Sequence, residues 1–238
     1  MLRVCSWNIA LGTRLATVLD GLAGLPRLDL VALQEASEHG WPDAAAVAQT
    51  LGPGYRCQQV TAQLLNGRPQ ANALVWDATR FEATATHVLA LPTPLGRMLK
   101  RLPPSRRSAL VVEGRFEGMM VRIHVVHLDV LGIAHKHAQL RTVLEDAAGR
   151  PPPGLALIAG DLNTIGGQRV SWPRLRALAR GAGFEELTAG CGWTHRAFGV
   201  RQKLDAVFAS PSGIPHRAWV ERLPGSDHLP LLVEVAAL

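Results

Sequence analysis

The chain has 238 residues, 47% of them hydrophobic and 18% charged, which is the composition of a folded globular protein rather than a disordered one. No apolar run approaches the ~18 residues that span a bilayer, and no signal peptide is recognisable. The formal net charge of +6 favours an anionic partner, such as nucleic acid, a phosphorylated metabolite or an anionic lipid. Because the three cysteines show neither disulfide nor zinc spacing, we expect a reducing, cytoplasmic setting. Without an internal repeat or linker, we expect one domain over residues 1–238.

The N-terminal part of the chain alternates strand and helix patterns. Strands are predicted over residues 2–9, 28–33, 71–76 and 81–91, and helices over 14–25 and 43–51. The run over 28–33 is almost entirely apolar, which is typical of a strand buried on both faces. The first two strands end in polar residues, Asn8 and Glu35, and rigid scaffolds present functional side chains in this way.

A segment rich in proline and basic residues follows over 92–108. Its five basic residues are Arg97, Lys100, Arg101, Arg106 and Arg107. Apolar residues between them fall at helical spacing and form a stripe opposite the first three cations. Two interpretations stay open: a solvated loop with a short amphipathic turn, or a basic flap that touches substrate phosphates or an anionic membrane surface.

The C-terminal part ends two more strands in polar residues. Strands are predicted over residues 109–116, 119–126, 155–159, 204–209 and 229–235, and helices over 134–148 and from an N-capping Ser171 to about residue 182. His127 follows the strand over 119–126, and Asp161 and Asn163 follow the strand over 155–159. Since Asp161 and Asn163 alternate past one residue, we expect both side chains to face the same way.

Carboxylate and amide side chains dominate the polar residues at the strand ends and in the last turn. Oxygen ligands are offered by Asn8, Glu35, Asp161, Asn163 and Asp227, with no cysteine among them. This set suits a hard cation, Mg2+ or Mn2+, which takes a few carboxylates together with a substrate phosphate. Zinc is disfavoured, because His124 and His127 lie three residues apart on a strand and point to opposite faces.

A carboxylate stands next to an imidazole in the turn over residues 226–230. His228, at the mouth of the last strand, is well placed as a general base near neutral pH, and Asp227 could bind a metal or orient a water. The alternative is a surface turn with an incidental histidine. Asp205 lies early in an apolar strand, where a charge is costly without a partner. We expect it to orient His228, unless it lies exposed on an edge strand.

These groups are the parts needed to hydrolyse a phosphate ester: a metal to neutralise the phosphoryl oxygens, a base to activate water, and donors to stabilise the developing charge. In their order along the chain, the motifs resemble the endonuclease/exonuclease/phosphatase superfamily, the fold of pancreatic deoxyribonuclease. The resemblance rests on Trp7-Asn8, Gln34-Glu35, His127-Leu128-Asp129, Gly160-Asp161-Leu162-Asn163, Leu204-Asp205-Ala206-Val207-Phe208 and Ser226-Asp227-His228-Leu229-Pro230.

The resemblance implies an α+β, DNase I-like fold: a four-layer αββα sandwich of two packed, mainly antiparallel sheets flanked by helices. It implies that Glu35 is the main Mg2+ ligand, with Asn8 and Asp227 near the metal. Asp161 and Asn163 would align the attacking water and the phosphate, and His127 would contact the phosphate. The Asp205–His228 pair would activate water, although the base and phosphate-binding roles could be exchanged between Asp161 and His228.

The chain looks closest to small, stand-alone bacterial members that carry a basic-x-x-Gln-Leu helix. Lys136 stands where many relatives have arginine, which weakens the case for a bidentate phosphate clamp. We predict substrate contacts by Arg101, Arg107 and Lys136. Relatives often carry a Ser-x-x-Pro turn after the strand that here ends near Trp76, and its absence indicates a different substrate-facing loop. An abasic-site-type tyrosine motif is also missing, which argues against a dedicated repair enzyme.

We expect an active Mg2+-dependent phosphodiesterase or phosphatase, because no motif position is visibly lost. Charge favours a nuclease acting on DNA or RNA, while a basic flap with an apolar stripe would also suit phospholipid head groups. Small-molecule phosphoesterase activity and a catalytically inactive phosphate-binding module of the same fold are the alternatives. The expected state is a monomer with no transmembrane segment, for which peripheral membrane contact stays open.

Overall fold

The computed structural model describes residues 1–37, 42–65, 68–93, 107–130, 132–149, 153–165 and 169–236. Within these ranges, two six-stranded sheets pack face to face and helices cover their outer faces. The α-helices are α1 (Leu15–Ala23), α2 (Asp43–Leu51), α3 (Ile133–Ala147) and α4 (Ser171–Gly181). None of the described helices is long and apolar enough to cross a membrane.

The first sheet has the strand order β13-β14-β1-β2-β4-β3. Its strands are β1 (Leu2–Asn8), β2 (Leu30–Ala36), β3 (Tyr55–Leu65), β4 (Arg68–Asp77), β13 (His216–Val220) and β14 (Leu231–Val235). Only β1 and β2 run parallel among its neighbouring pairs in the described chain. This parallel pair lies in the middle of the sheet. The carboxyl ends of its two strands therefore lie side by side at the same end of the sheet.

The second sheet has the order β5-β6-β7-β8-β12-β9. Its strands are β5 (Phe81–Ala90), β6 (Ser108–Phe116), β7 (Met119–His127), β8 (Leu155–Asp161), β9 (Glu185–Glu186) and β12 (Asp205–Ser210). Here β7 and β8 are the parallel pair, and β12 runs antiparallel to β8. A separate two-stranded hairpin joins β10 (His195–Ala197) to β11 (Val200–Gln202).

Three clusters of buried apolar residues hold the layers together. The largest lies between the sheets and includes Val4, Leu30, Ile123 and Leu157. The second packs α3 and α4 on the outer face of the second sheet, and the third packs α1 and α2 on the outer face of the first. Layers in which each element buries one apolar face give a four-layer helix–sheet–sheet–helix sandwich, which confirms the expected fold.

Most strand and helix patterns were read correctly, including the strands predicted over 109–116 and 119–126, which pair as β6 and β7. The edge strand β3 was missed, because both of its faces are largely half-buried and its apolar alternation is weak. The expectation that Ser171 caps α4 is wrong: Val170 occupies the N-cap position, and no side chain caps the helix. The basic segment falls outside the described residues over 94–106.

Candidate active site

Five strand ends meet at one end of the sandwich and carry the polar residues of the site. Asn8, His127 and Asp161 are the last residues of β1, β7 and β8, and Glu35 is the penultimate residue of β2. Asp205 is the first residue of β12, which runs antiparallel to β8, so it lies directly opposite Asp161. The pairing of parallel and antiparallel strands thus brings residues from all parts of the chain to one end of the sandwich.

Asn8 joins the two central carboxylates. Its Nδ2 donates to Glu35 Oε1 and to Asp161 Oδ2, each at 3.1 Å, while its Oδ1 accepts from the backbone N–H of Ala10 at 3.0 Å. One amide group therefore fixes the side chains of Glu35, from the first sheet, and Asp161, from the second.

Two of the site residues have left-handed backbone conformations. Glu35 has φ +51° and Asn163 has φ +50°. Such values are uncommon for a residue other than glycine, and they persist where the surrounding structure fixes them. Asn163 is held on both sides, because its N–H donates to Asp161 Oδ1 at 2.7 Å and its Nδ2 donates to the carbonyl of Leu128 at 2.9 Å.

His127 lies between the two carboxylates. Its Nε2 is 3.6 Å from Asp161 Oδ2 and 3.8 Å from Glu35 Oε1. Burial, with smaller contributions from the charges of Arg107 and His228, lowers the pKa of His127 well below its ordinary value. The ring is therefore neutral at physiological pH and carries a single N–H.

His228 is paired with Asp205, as expected from the cost of a charge in a buried strand. Its Nδ1 lies 2.9 Å from Asp205 Oδ2, which also accepts from Thr194 Oγ1 at 2.6 Å. Trp7 Nε1 donates to the carbonyl of His228 at 3.0 Å and fixes the backbone. The expectation of an edge-strand Asp205 is excluded, since β12 lies between β8 and β9 and the residue is buried.

Charge interactions raise the pKa of His228. Burial would lower it, but the carboxylate of Asp205, through its charge and its hydrogen bond, and the charges of Asp161 and Asp227 raise it to about 10. The Nε2 atom faces Asp161 Oδ2 at 3.8 Å. A base must be unprotonated to act, and a raised pKa favours the protonated ring of His228. The base and phosphate-binding roles can therefore still be exchanged between His228 and Asp161, as in the sequence analysis.

The site brings together more carboxylates than cationic side chains. Burial, followed for Asp161 by repulsion from Asp205, raises the pKa of Glu35 and that of Asp161, the latter to about 7. Carboxylates crowded in this way are stabilised by a divalent cation, and oxygen donors select a hard one. Glu35 and Asp161, joined by the amide of Asn8, therefore fit Mg2+ or Mn2+.

The arrangement and the sequence together identify the family. The model of the Endonuclease/Exonuclease/phosphatase family matches residues 5–228. The chain belongs to this family. It is accordingly a metal-dependent hydrolase that acts on phosphoric ester bonds. No curated protein matches the chain in sequence.

Solved structures of low sequence identity share the fold over its whole length. An endonuclease/exonuclease/phosphatase family protein from Leptotrichia buccalis C-1013-b is 14% identical, with a TM-score of 0.78 and 100% of both chains covered. The family's protein from Bacteroides vulgatus is 15% identical, with a TM-score of 0.74 and 99% of each chain covered. A humanized TDP2 of D. rerio is 18% identical, with a TM-score of 0.73 and 99% of each chain covered.

Asp227 contacts a histidine that we did not single out in the sequence. Its Oδ2 lies 3.5 Å from His195 Nε2, and this contact, outweighing burial, lowers the pKa of Asp227 to about 2. The His195 ring packs against that of His228 with centroids 4.6 Å apart. The carboxylate and the two rings lie close enough to hold a cation, as do Asp161, Asp205 and His228.

No short sequence motif predicted that His195 or Thr194 would lie in the site. Both reach the site because the backbone pairs His195 with His228 through an isolated β-bridge, and Thr194 accepts from the N–H of Leu229 beside it. Pairing across more than thirty residues of intervening chain leaves no local signal in a sequence. The single available signal was the closeness of these residues to Asp205 along the chain.

Two of the three predicted substrate-binding cations lie beneath the site. Arg107 is buried and donates from Nη1 to the carbonyl of His127 at 2.8 Å. Lys136 is buried and donates from Nζ to the carbonyl of Val130 at 2.5 Å. Arg107 still acts on the carboxylates Asp129, Asp161 and Glu35 through its charge, so its contribution here is to the field of the site. Arg101 lies outside the described residues, and all three substrate contacts stay predictions.

Proposed function

We propose that this protein is a Mg2+-dependent phosphodiesterase whose substrate is a nucleic acid. The observation that carries the proposal is the joint placement of Glu35 and Asp161 on the amide of Asn8, with the imidazole of His127 and the Asp205–His228 pair beside them. This collection holds both the charges that bind a cation and the groups that move a proton. Both functions contribute to metal-assisted cleavage of a phosphodiester.

Glu35 would hold the cation, with Asn8 and Asp227 near it; Asn8 would become a ligand only through Oδ1, which here accepts from the N–H of Ala10. When bound, Mg2+ would neutralise the phosphoryl oxygens of the substrate and help to acidify a water. Asp227 would have to turn from His195 to take part. This makes it a weaker candidate than Glu35, which faces the central cluster directly.

The side chains themselves position the phosphate and the water. We assign His127, whose Nε2 lies 3.6 Å from Asp161 Oδ2, and Asn163 to the phosphate. Asp161 and His228 face each other at 3.8 Å and share the base and phosphate-binding roles. Asp205 holds the His228 ring through Nδ1, so Nε2 is left for the substrate or the water.

Nucleic acid is the substrate class that charge and fold neighbours support. The formal net charge of +6 favours a polyanion over a neutral substrate. A D. rerio TDP2, 17% identical to this chain with a TM-score of 0.73, has been solved in complex with a single-stranded DNA product. A phospholipid substrate would also meet the charge requirement, so the experiment includes it.

A substrate screen under controlled metal conditions tests the proposal. Plasmid DNA, single-stranded RNA, phospholipid vesicles and bis-p-nitrophenyl phosphate are incubated with the protein in excess chelator, in Mg2+ and in Mn2+. We expect cleavage of DNA or RNA with either cation and none in chelator. Full activity in chelator, or cleavage of vesicles alone, would contradict the proposal. Glu35→Gln should abolish cleavage, and Glu82→Gln, the same change at an exposed position on β5, should not.

A further inference from the structure

The β10–β11 hairpin has its base in the active site and its tip in solvent. At its base, His195 pairs with His228 and lies against Asp227. At its tip, the side chain of Phe198 is fully exposed, and the neighbouring Val200 is 56% exposed. The other four phenylalanines, Phe81, Phe116, Phe184 and Phe208, are buried. A single exposed apolar side chain is common on protein surfaces, so the case for a contact outside the chain rests on the turn and on the charges beside this ring.

The turn itself is poorly suited to a phenylalanine. Ala197 pairs with Val200, so Phe198 and Gly199 form a two-residue connection, with φ +49° and φ +78°. Positive φ at both positions is the pattern of a type I′ turn, which favours Asn-Gly. A bulky side chain is strained at the first of these positions. The ring is thus held at the tip against the local preference of the backbone.

Two arginines lie in the strands that lead to the exposed ring. Arg196 and Arg201 are cross-strand partners next to the turn, and both are exposed. The guanidinium of Arg201 lies 4.9 Å from the centroid of Trp193, which adds a second aromatic ring at the base of the hairpin. The sequence over 187–204 contains no aspartate or glutamate. The hairpin therefore presents stacking surface and cations together, without a carboxylate to repel phosphate.

We propose that Phe198 stacks on a base of the nucleic-acid substrate a few nucleotides from the scissile phosphate, while Arg196 and Arg201 contact the flanking phosphates. This inference rests on the proposed function and narrows it to substrates with an unpaired base near the cleavage site, because a ring stacks on a base face that is open. Phe198 lies three positions after His195, about 10 Å along an extended backbone. That distance corresponds to roughly three stacked base steps of ~3.4 Å.

A membrane surface is the less favoured partner. Bilayer insertion draws its energy from apolar area, and here the exposed apolar side chains of the hairpin are Phe198 and Val200, with the exposed arginines Arg196 and Arg201 in the same two strands. Stacking with alternating phosphate contacts uses both the ring and the cations. We therefore argue for nucleic acid and leave the bilayer as an outcome of the test.

The test measures binding without cleavage. A fluorescein-labelled single-stranded oligonucleotide is titrated with the full chain in chelator, and anisotropy gives the dissociation constant. Phe198→Asn should weaken binding about 5- to 100-fold, the range of one base–aromatic stack. It should also keep or raise Tm, since asparagine suits the turn better than phenylalanine. Val88→Ala removes another exposed apolar side chain, on the edge strand β5 of the second sheet, and should leave binding unchanged.

A second variant identifies the partner. Phe198→Trp should bind the oligonucleotide and show fluorescence quenching on stacking, measured as a difference from the wild-type protein. Unchanged oligonucleotide binding by a folded Phe198→Asn variant would overturn the inference. A blue shift of Phe198→Trp on anionic vesicles, with no response to oligonucleotide, would also overturn it. If the wild-type protein neither binds nor cleaves any nucleic acid, the proposed function itself fails. If it cleaves them while Phe198→Asn binds normally, only the inference about the hairpin fails.

Discussion

Nδ1 of His228 lies 2.9 Å from Oδ2 of Asp205, although the two residues are twenty-three positions apart. The bond spans the sandwich, because Asp205 opens β12 in the second sheet and His228 precedes β14 in the first. Thr194 Oγ1 donates to the same carboxylate oxygen at 2.6 Å, which fixes the direction in which Asp205 points. The orientation of His228 thus depends on a carboxylate that is itself held in place.

The Asp205–His228 pair should act as one unit in catalysis. His228→Ala should lower kcat by about 10²- to 10⁴-fold, the usual value of a positioned proton-transfer group. Asp205→Asn should lower kcat less than His228→Ala does, because the imidazole ring remains but its orientation is no longer fixed. The double variant should be scarcely slower than His228→Ala alone. Single-turnover rates on one substrate provide the comparison, and a double defect equal to the product of the single defects would show that the residues work independently.

Metal affinity should depend on Glu35 and can be measured without turnover. In the wild-type protein, saturating Mn2+ should raise Tm, because a ligand that binds only the folded state stabilises it by about 2.7 kcal/mol at a hundred times its dissociation constant. Glu35→Gln keeps the size of the side chain but removes the charge, and should lose most of this shift. Glu82→Gln should retain it. An equal Mn2+ response in all three proteins would place the cation elsewhere.

Local sequence signals were enough to find the residues that end a single strand. Asn8, Glu35 and Asp161 each follow an apolar run, and a polar residue at that point is visible without knowledge of the fold. His195 was not predictable in this way, since only its pairing with His228 brings it to the site. The buried position of Arg107 was equally hidden, because arginine in a basic segment reads as a surface residue until its partner, the carbonyl of His127, is known.

Stability should fall with acidification through a buried histidine away from the active site. His124 Nε2 lies 2.7 Å from Asp146 Oδ2, and burial lowers the pKa of His124 below its ordinary 6.5 despite this contact. The hydrogen bond from His124 in turn lowers the pKa of Asp146. Below pH 6.5 the unfolded chain takes up a proton at His124 that the folded chain does not. The stabilisation of the folded state by His124 is therefore complete above pH 6.5 and is lost as the pH falls through the lower pKa that His124 has in the folded protein. The stabilisation by Asp146 is lost at more acidic pH.

The measurement is the free energy of unfolding against pH, from urea titrations between pH 8 and pH 5. The wild-type protein should lose stability over the lower part of this range. His124→Gln should be less stable at pH 8 but should show a flatter dependence on pH, because the titrating ring is gone. The slope is the informative quantity, and an unchanged slope in the variant would assign the acid sensitivity to other groups.

Gly160 should be the most damaging position for a single added methyl group. It precedes Asp161 in β8 with φ +151°, and a β-carbon built there would lie 1.9 Å from the backbone carbonyl oxygen of Val126 in the parallel strand β7. Neither partner can move without breaking the ladder that places His127 beside Asp161. We expect Gly160→Ala to destabilise the protein by roughly 3 kcal/mol or more, in the range of severe core defects. Gly190→Ala is the matched control, because no atom lies within 4 Å of its added β-carbon. Thermal and urea denaturation of the two variants provide the comparison, and a Gly160→Ala protein as stable as the control would mean that β7 and β8 are not held as closely as described.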